Sequence, residues 1–144
     1  MGLAKSALQF IVNEYKKRPF HGSVLTLGRQ SIYATDEELR HMIRAVGIEP
    51  ARLAREMKLT TNMPHWQGTI YEKYASDAVF FNLLGLNDLK VLDCSNYEGA
   101  DCVADLNLPV PGELENRFNA IIDGGTIEHV FDVRQALINV AAML

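Results

Sequence analysis

Three acidic residues close short apolar runs, and each stands where a carboxylate could accept hydrogen bonds from a ligand. Asp93 ends Lys90-Val91-Leu92-Asp93, a position from which a carboxylate can accept two hydrogen bonds from a ribose diol. Ser95-Asn96 follow it, so a turn cap is an equal alternative. Asp105, in Asp105-Leu106-Asn107 before Pro109, could meet a nucleobase amino group or form an Asx turn, and taken alone it reads as the turn. Asp123-Gly124-Gly125-Thr126 follows the run from Phe118 to Asp123. Paired glycines there permit close backbone approach to a ligand, an unusual φ, or a tight strand-to-helix turn. Glu128-His129 adds an acid and a base downstream, His being the side chain that titrates near neutrality, although a lone His commonly serves structure instead.

Other chemistries lack their residues. The loop Leu27-Gly28-Arg29-Gln30-Ser31 has one glycine, so neither the dinucleotide fingerprint GxGxxG nor the phosphate loop GxxxxGK[ST] is present. Asp123, Glu128 and His129 are metal-ligand types, but no further ligand is spaced to complete a site, and no metal is expected. Cys94 and Cys102 form no CxxC or Cys/His pattern, which argues for a reducing, cytoplasmic compartment. Cys94 has no His near it in sequence and reads as a buried, inert thiol. Tyr71, Tyr74, Phe80 and Phe81 read as core, whereas Trp66, beside His65 in a Pro-containing loop, is the aromatic expected to line a pocket.

The elements that must position these residues follow from periodicity and punctuation. Leu3, Ala4, Ala7, Leu8, Ile11, Val12 and Tyr15 make one face of an opening helix stopped by Pro19. Ser23–Gly28 is β-prone, and Thr35-Asp36-Glu37-Glu38 is a capping box that opens a helix ending near Gly47. Residues 49–68 read as a short helical piece and a loop. A second capping box, Thr69-Ile70-Tyr71-Glu72, predicts a helix with Tyr71, Tyr74, Ala75, Ala78 and Phe81 on its apolar face and Gly85 as its stop. Lys90–Asp93, Cys102–Asp105 and Phe118–Asp123 then read as strands whose unalternating apolar runs suit a parallel sheet covered on both faces. Asp132 caps a last helix with Val133, Ala136, Leu137, Val140 and Leu144 as its expected buried stripe.

Strands alternating with helices, with acids at the strand ends, point to a doubly wound, mostly parallel α/β sheet. Such sheets bind ligands outside the carboxyl ends of their strands, where Gly28, Asp93, Asp105 and Asp123 would gather. The 144 residues fit a single domain, an N-terminal helix over 1–19 and an α/β core over 20–144. Hydrophobic residues at 48% and charged residues at 22% provide for a real core. A net charge of -4 argues against nucleic acid or an anionic membrane as partner. The N-terminal apolar stretch is broken by Lys5, Gln9, Asn13 and Glu14 and is neither a signal peptide nor a membrane span.

The segments Val91–Asp101, Ala104–Pro109 and FNAIIDGGTIEHVF (118–131) resemble class I S-adenosylmethionine-dependent methyltransferases, with Glu128-His129 and its flanks the most specific part. The resemblance runs in order from about residue 20 to 144 and implies a Rossmann-like sheet. It implies S-adenosylmethionine as cofactor, with Gly28 and Arg29 near its methionine part. Asp93, with Ser95 after it, would be at the ribose, Asp105 and Leu106 at the adenine, and Asp123 and Gly124 facing the methyl. Glu128 or His129 would be the base that accepts a proton from the methyl acceptor, a small molecule or sugar. The chain departs from the family pattern in its first loop, where Arg29 and Gln30 stand in place of glycines, and in stopping after the fourth strand. A fragment of a longer enzyme, or a sheet edge completed by a homo-oligomer, is therefore expected. The alternative class is a non-catalytic binding or assembly module that keeps the fold.

Overall fold

The computed structural model describes residues 2–53, 57, 58, 60 and 66–144. Its elements, in chain order, are β1 (Gly2–Leu3), α1 (Lys5–Lys17), β2 (Ser23–Leu27), β3 (Ser31–Ile32), α2 (Asp36–Ala45), α3 (Asp77–Leu83), β4 (Asp88–Asp93), β5 (Cys102–Val103), β6 (Ala120–Asp123) and α4 (Val133–Met143). They form two compact units, one built from His21–Arg29 and Asp88–Leu144, the other from Gly2–Phe20 and Gln30–Asn87. Both are mixed α/β with parallel strand pairs, which is compatible with a Rossmann-like fold. No helix among the described residues is long and apolar enough to cross a membrane.

The first unit holds a four-stranded sheet in the order β5-β4-β2-β6, with every pair parallel. Taken in chain order these are its third, second, first and fourth strands, so the winding reverses at β2. Val24, Leu25, Thr26 and Leu27 are all 0% exposed. Successive side chains point to opposite faces, so both faces of β2 are covered, whereas β5 and β6, whose unalternating runs suggest the same, are only partly buried, Val103 being exposed. On one face Leu25, Leu27, Leu92, Leu106, Val110, Phe118, Ala136 and Met143 form a single apolar cluster that includes α4.

The β4–β5 connection is the short loop 94–101, although parallel strands ordinarily need a dozen or more residues and a helix to cross over. It suffices because β5 pairs only with the last two residues of β4, Leu92 with Cys102 and Asp93 with Val103. Little backward travel is required. β5 itself is shorter than the sequence suggests, and Asp105 lies in the turn after it. β6 likewise begins at Ala120 and not at Phe118.

α4 is capped by Asp132, whose carboxylate accepts from the Gln135 N–H, as expected. Its buried face is Ala136, Asn139 and Met143, and the expected stripe is largely wrong, with Val133, Leu137 and Leu144 exposed. The helix is apolar nearly all round, so periodicity alone chooses its face poorly. Asn139 decides it. Its Nδ2 donates to the carbonyls of Leu106 (3.0 Å) and Leu108 (2.8 Å), and its Oδ1 accepts from the Val110 N–H (3.2 Å) and Gln135 Nε2 (2.9 Å). At the other end of α4, the carbonyls of Ala142 and Met143 accept from the N–H groups of Asn116, Arg117 and Phe118. This satisfies carbonyls that a helix C-terminus leaves without partners.

In the second unit β1 and β3 pair in parallel, α1 meets β1 and α2, and α3 meets α2 and β3. α1 ends before Pro19, and Thr35 caps α2 with both bonds of the expected box. The helix expected from Thr69 is replaced by turns over 66–74, and α3 starts only at Asp77, capped by Ser76. The cause is tertiary. Thr69 Oγ1 donates to the Trp66 carbonyl and accepts from the Tyr71 N–H, and Glu72 accepts from the Gly68 N–H. The Ala75 N–H, which a helix would need, donates to the Ala34 carbonyl, and Ala75 bridges to Thr60. Gly85 does stop the helix, with φ +81°. Much of the expected helical piece and loop over 49–68, with Pro64 and His65, lies outside the described residues.

Removing the Asn139 amide would take the partner from the buried Leu106 carbonyl and Val110 N–H and from the part-buried Leu108 carbonyl. Asn139→Ala should therefore destabilise the chain by on the order of 3 kcal/mol in urea unfolding. Leu137→Ser, on the exposed face of the same helix, should change stability by less than about 0.5 kcal/mol.

Candidate functional site

The register of the sheet brings the ends of β2, β4 and β6 level, because Leu27 pairs with Leu92 on one side and Asp123 on the other. Beyond these ends lies a pocket of about 230 Å³. Leu92, Ala104 and Leu106 supply its apolar wall, and Asp93, Cys94, Asn107, Thr126 and His129 its polar groups. It therefore collects residues that follow β4, β5 and β6, around the strand where the winding reverses. A larger pocket of about 500 Å³ lies toward the strand starts, at Ser23, Asp88, Lys90, Glu113 and Arg117. There Lys90 Nζ is 3.8 Å from Asp88 Oδ1, so part of its charge is already paired.

The residues singled out in the sequence fall into two groups. Asp93, Leu106 and His129 line the smaller pocket, and Gly28, Arg29, Ser95, Asp105, Asp123, Gly124 and Glu128 are not among its lining. Asp93 Oδ1 accepts from the Ser95 N–H at 3.4 Å, and the carboxylate also accepts from the Cys94 thiol, which still leaves it lone pairs for a ligand. Asp105 Oδ1 accepts from the Asn107 N–H at 2.9 Å and Nδ2 at 2.7 Å, which makes it an Asx turn. These bonds hold its carboxyl below the ordinary 3.8. Asp123 spends its carboxylate on the N–H groups of Gly125, Thr126 and Ile127. With Gly125 at φ +113°, Asp123-Gly124-Gly125 is the tight turn that its glycines allow.

Two side chains lock that turn and its neighbour. Thr126 Oγ1 donates to the Leu27 carbonyl at 2.6 Å, fixing the segment after β6 to the end of β2. Arg29 donates through Nε to the Glu98 carbonyl and through Nη2 to the Gly99 carbonyl, both at 2.8 Å, and so holds the loop 94–101. Gly28 is buried at φ +71°, a conformation that favours glycine, and its N–H donates to the Leu92 carbonyl. Ser95 Oγ accepts from the Tyr97 N–H. Glu128 and His129 face each other at 3.5 Å, each with a 71% exposed side chain.

Cys94 corrects the expectation of a buried thiol, being exposed and part of the pocket lining. Its hydrogen bond to Asp93, then burial and the carboxylate's charge, push its pKa above the ordinary 9.0. A nucleophilic thiol needs the opposite shift. Cys102 is also free, and burial followed by the charge of Asp101 raises it too. Trp66, only 5% exposed, packs with Tyr33, Tyr71 and Tyr74 at ring separations of 5.2–5.9 Å. That is a small aromatic core, in which Tyr71 remains at the surface, and His65 lies outside the described residues. Phe80 and Phe81 are core, as expected. Among the described residues no group of three His, Cys, Asp or Glu is arranged to hold a metal ion.

Asn107, Thr126 and Asn139 are the residues that the sequence reading missed. Asn107 sat beside an apparently more eligible Asp, and Asn139 stood in an apolar helix where a single amide is easily taken as surface. No family model, no curated protein and no solved structure matches the chain.

Two outcomes check this geometry. Because Asp93 keeps the Cys94 thiol protonated, iodoacetamide alkylation of Cys94 should still be rising above pH 9, and Asp93→Asn should accelerate it at pH 8. An unchanged rate in the variant would mean that the bond does not form. Arg29→Ala should speed amide hydrogen exchange across 95–101 more than in β2 or β4.

Proposed function

We propose that this chain is the nucleoside-binding α/β core of a class I S-adenosylmethionine-dependent methyltransferase, acting in the cytoplasm on a small-molecule or sugar acceptor. One observation carries the reading. An acidic residue at the end of β4, an apolar wall from the turn after β5 and a His after β6 meet in one pocket beside the strand where the winding reverses.

The residues present suit the nucleoside part of that cofactor. Asp93 has acceptor capacity for the two ribose hydroxyls, and Leu92, Ala104 and Leu106 offer apolar surface to a base. The pocket is smaller than the roughly 300–1,000 Å³ that encloses a drug-sized ligand, so it takes the nucleoside and leaves the methionine part outside it. Arg29, at the position of the family's glycine loop, is turned to the loop 94–101. The bound sulfonium supplies an electrophilic methyl group. The chain's own work is to orient the nucleoside, hold the acceptor in line and take its proton, for which His129 is the lining base. Asp123 acts by holding the turn that presents Thr126 and His129.

A second reading, a binding or assembly module without turnover, is favoured by the commitment of Asp123 to backbone and the exposure of Glu128 and His129. Isothermal titration with S-adenosylhomocysteine tests what the two readings share with catalysis, the nucleoside site. Saturable one-to-one binding is expected. Asp93→Ala should weaken it by about 1.5–3 kcal/mol, roughly tenfold to a hundredfold, without loss of the cooperative melt. Absence of binding would remove the cofactor from the reading, and equal affinity in the variant would remove Asp93 from the site.

A further inference from the structure

Two unpartnered features of the first unit lie side by side along β6. β5 and β6 are the edge strands of its sheet, and among the described residues β6 pairs only with β2. Folded proteins blunt such edges with very short strands, Pro or charged side chains. β5 is blunted by its length of two residues, but Ala120-Ile121-Ile122 carries neither Pro nor a charge, and the carboxylate of Asp123 is taken up by the turn that follows. The second feature is on α4. Ala136 and Met143 pack into the cluster over the sheet, and Asn139 is held by the turn after β5. At 3.6 residues per turn, Val133, Leu137 and Leu144 lie about 120–160° round the helix from Asn139, on the side toward β6. They are 44%, 56% and 53% exposed, with Val140 partly buried among them.

We infer that this edge and this helix face bind a second copy of the same chain, β6 against β6 in antiparallel sense and α4 against α4, about a two-fold axis perpendicular to the sheet. A partner that covers both features must bring a strand edge and an apolar helix stripe on one face of a sheet, and the chain itself has that pair of surfaces. The two-fold axis keeps both helices on one face and sets them antiparallel, so Val133 of each copy falls opposite Leu144 of the other, and Leu137 opposite Val140. Their spacing of four, three and four residues is that of a helix–helix seam. The net charge of -4 does not oppose the contact there, because Val133–Met143 holds no acid and a single cation, Arg134. The area suffices as well. The exposed parts of Val133, Leu137 and Leu144 come to about 300 Å² per copy, and with the sides of β6 the two copies together reach the roughly 1,000 Å² that a specific interface needs. The residues that periodicity marks for burial are then buried, by a neighbour and not by their own sheet. The contact does not depend on the nucleoside site, whose lining stands at the strand ends.

Sedimentation equilibrium of the whole chain, run as a dilution series up to about 1 mM, reads the assembly directly. The weight-average mass should rise from the 16.1 kDa of one chain toward twice that value and go no higher, since a two-fold contact closes on itself. Leu137→Ser should melt as the wild type does when both are dilute, yet raise the dissociation constant by at least about tenfold. Phe10→Ser, at an apolar side chain 63% exposed in the second unit, should leave that constant within about twofold. Amide exchange at Ala120–Ile122 in the wild type should slow as the concentration rises, while that of β5 stays the same. A mass of one chain at every concentration overturns the proposal, as does growth beyond two chains. Equal weakening by Phe10→Ser and Leu137→Ser, or exchange at β6 that ignores concentration, takes the association away from this surface.

Discussion

The parallel pairing of β2 with β4 on one side and β6 on the other determines where every pocket residue can stand. Val24–Leu27 pair in register with Leu89–Leu92 and with Ala120–Asp123, so the three strands end at one level. Backbone that leaves those ends must turn there, and its N–H and C=O groups need partners that the ladder no longer supplies. The pocket is the space between these turns. Its small size follows from how short the turns are, since the loop 94–101 and the segment 124–129 contain no α-helix.

Turns without helices are held here by polar side chains that reach backbone groups. Arg29 serves the carbonyls of the loop after β4, Asn139 those of the loop after β5, and Asp123 and Thr126 the segment after β6. Each such bond is worth only about 0.5–1.5 kcal/mol net, but a buried group left without one costs more, and that asymmetry makes the arrangement specific. Asn139 shows this most clearly. An apolar helix with no strong preference among its faces is turned so that its one buried amide meets three backbone groups.

What could be read from the sequence and what could not follow the same physics. The capping box at Thr35, the cap at Asp132, the stop at Gly85 and the parallel character of the sheet rest on local chemistry or on continuous apolar runs, and they appear as expected. The capping box at Thr69 is locally as good, yet the backbone of Ala75 pairs with Ala34 and Thr60, and no local rule sees that. Of the residues expected to gather at the strand ends, Asp93 lines the pocket, while Leu106 and His129, singled out through the resemblance and through acid–base chemistry, line it beside Asp93. Asp105 and Asp123 carry the same signal but use their carboxylates to make the turns. Arg29 looked like an obstacle in the first loop, and its role as a clamp depends on a loop some 70 residues later in the chain.

The proposed binding of a nucleoside at the carboxyl ends of these strands is tested most directly by amide chemical-shift mapping during titration with S-adenosylhomocysteine. The expected result is saturable movement of the Cys94, Asn107, Thr126 and His129 resonances, with Asp88, Glu113 and Arg117 at the other pocket unmoved. Movement confined to that other pocket, or none at all, would contradict it.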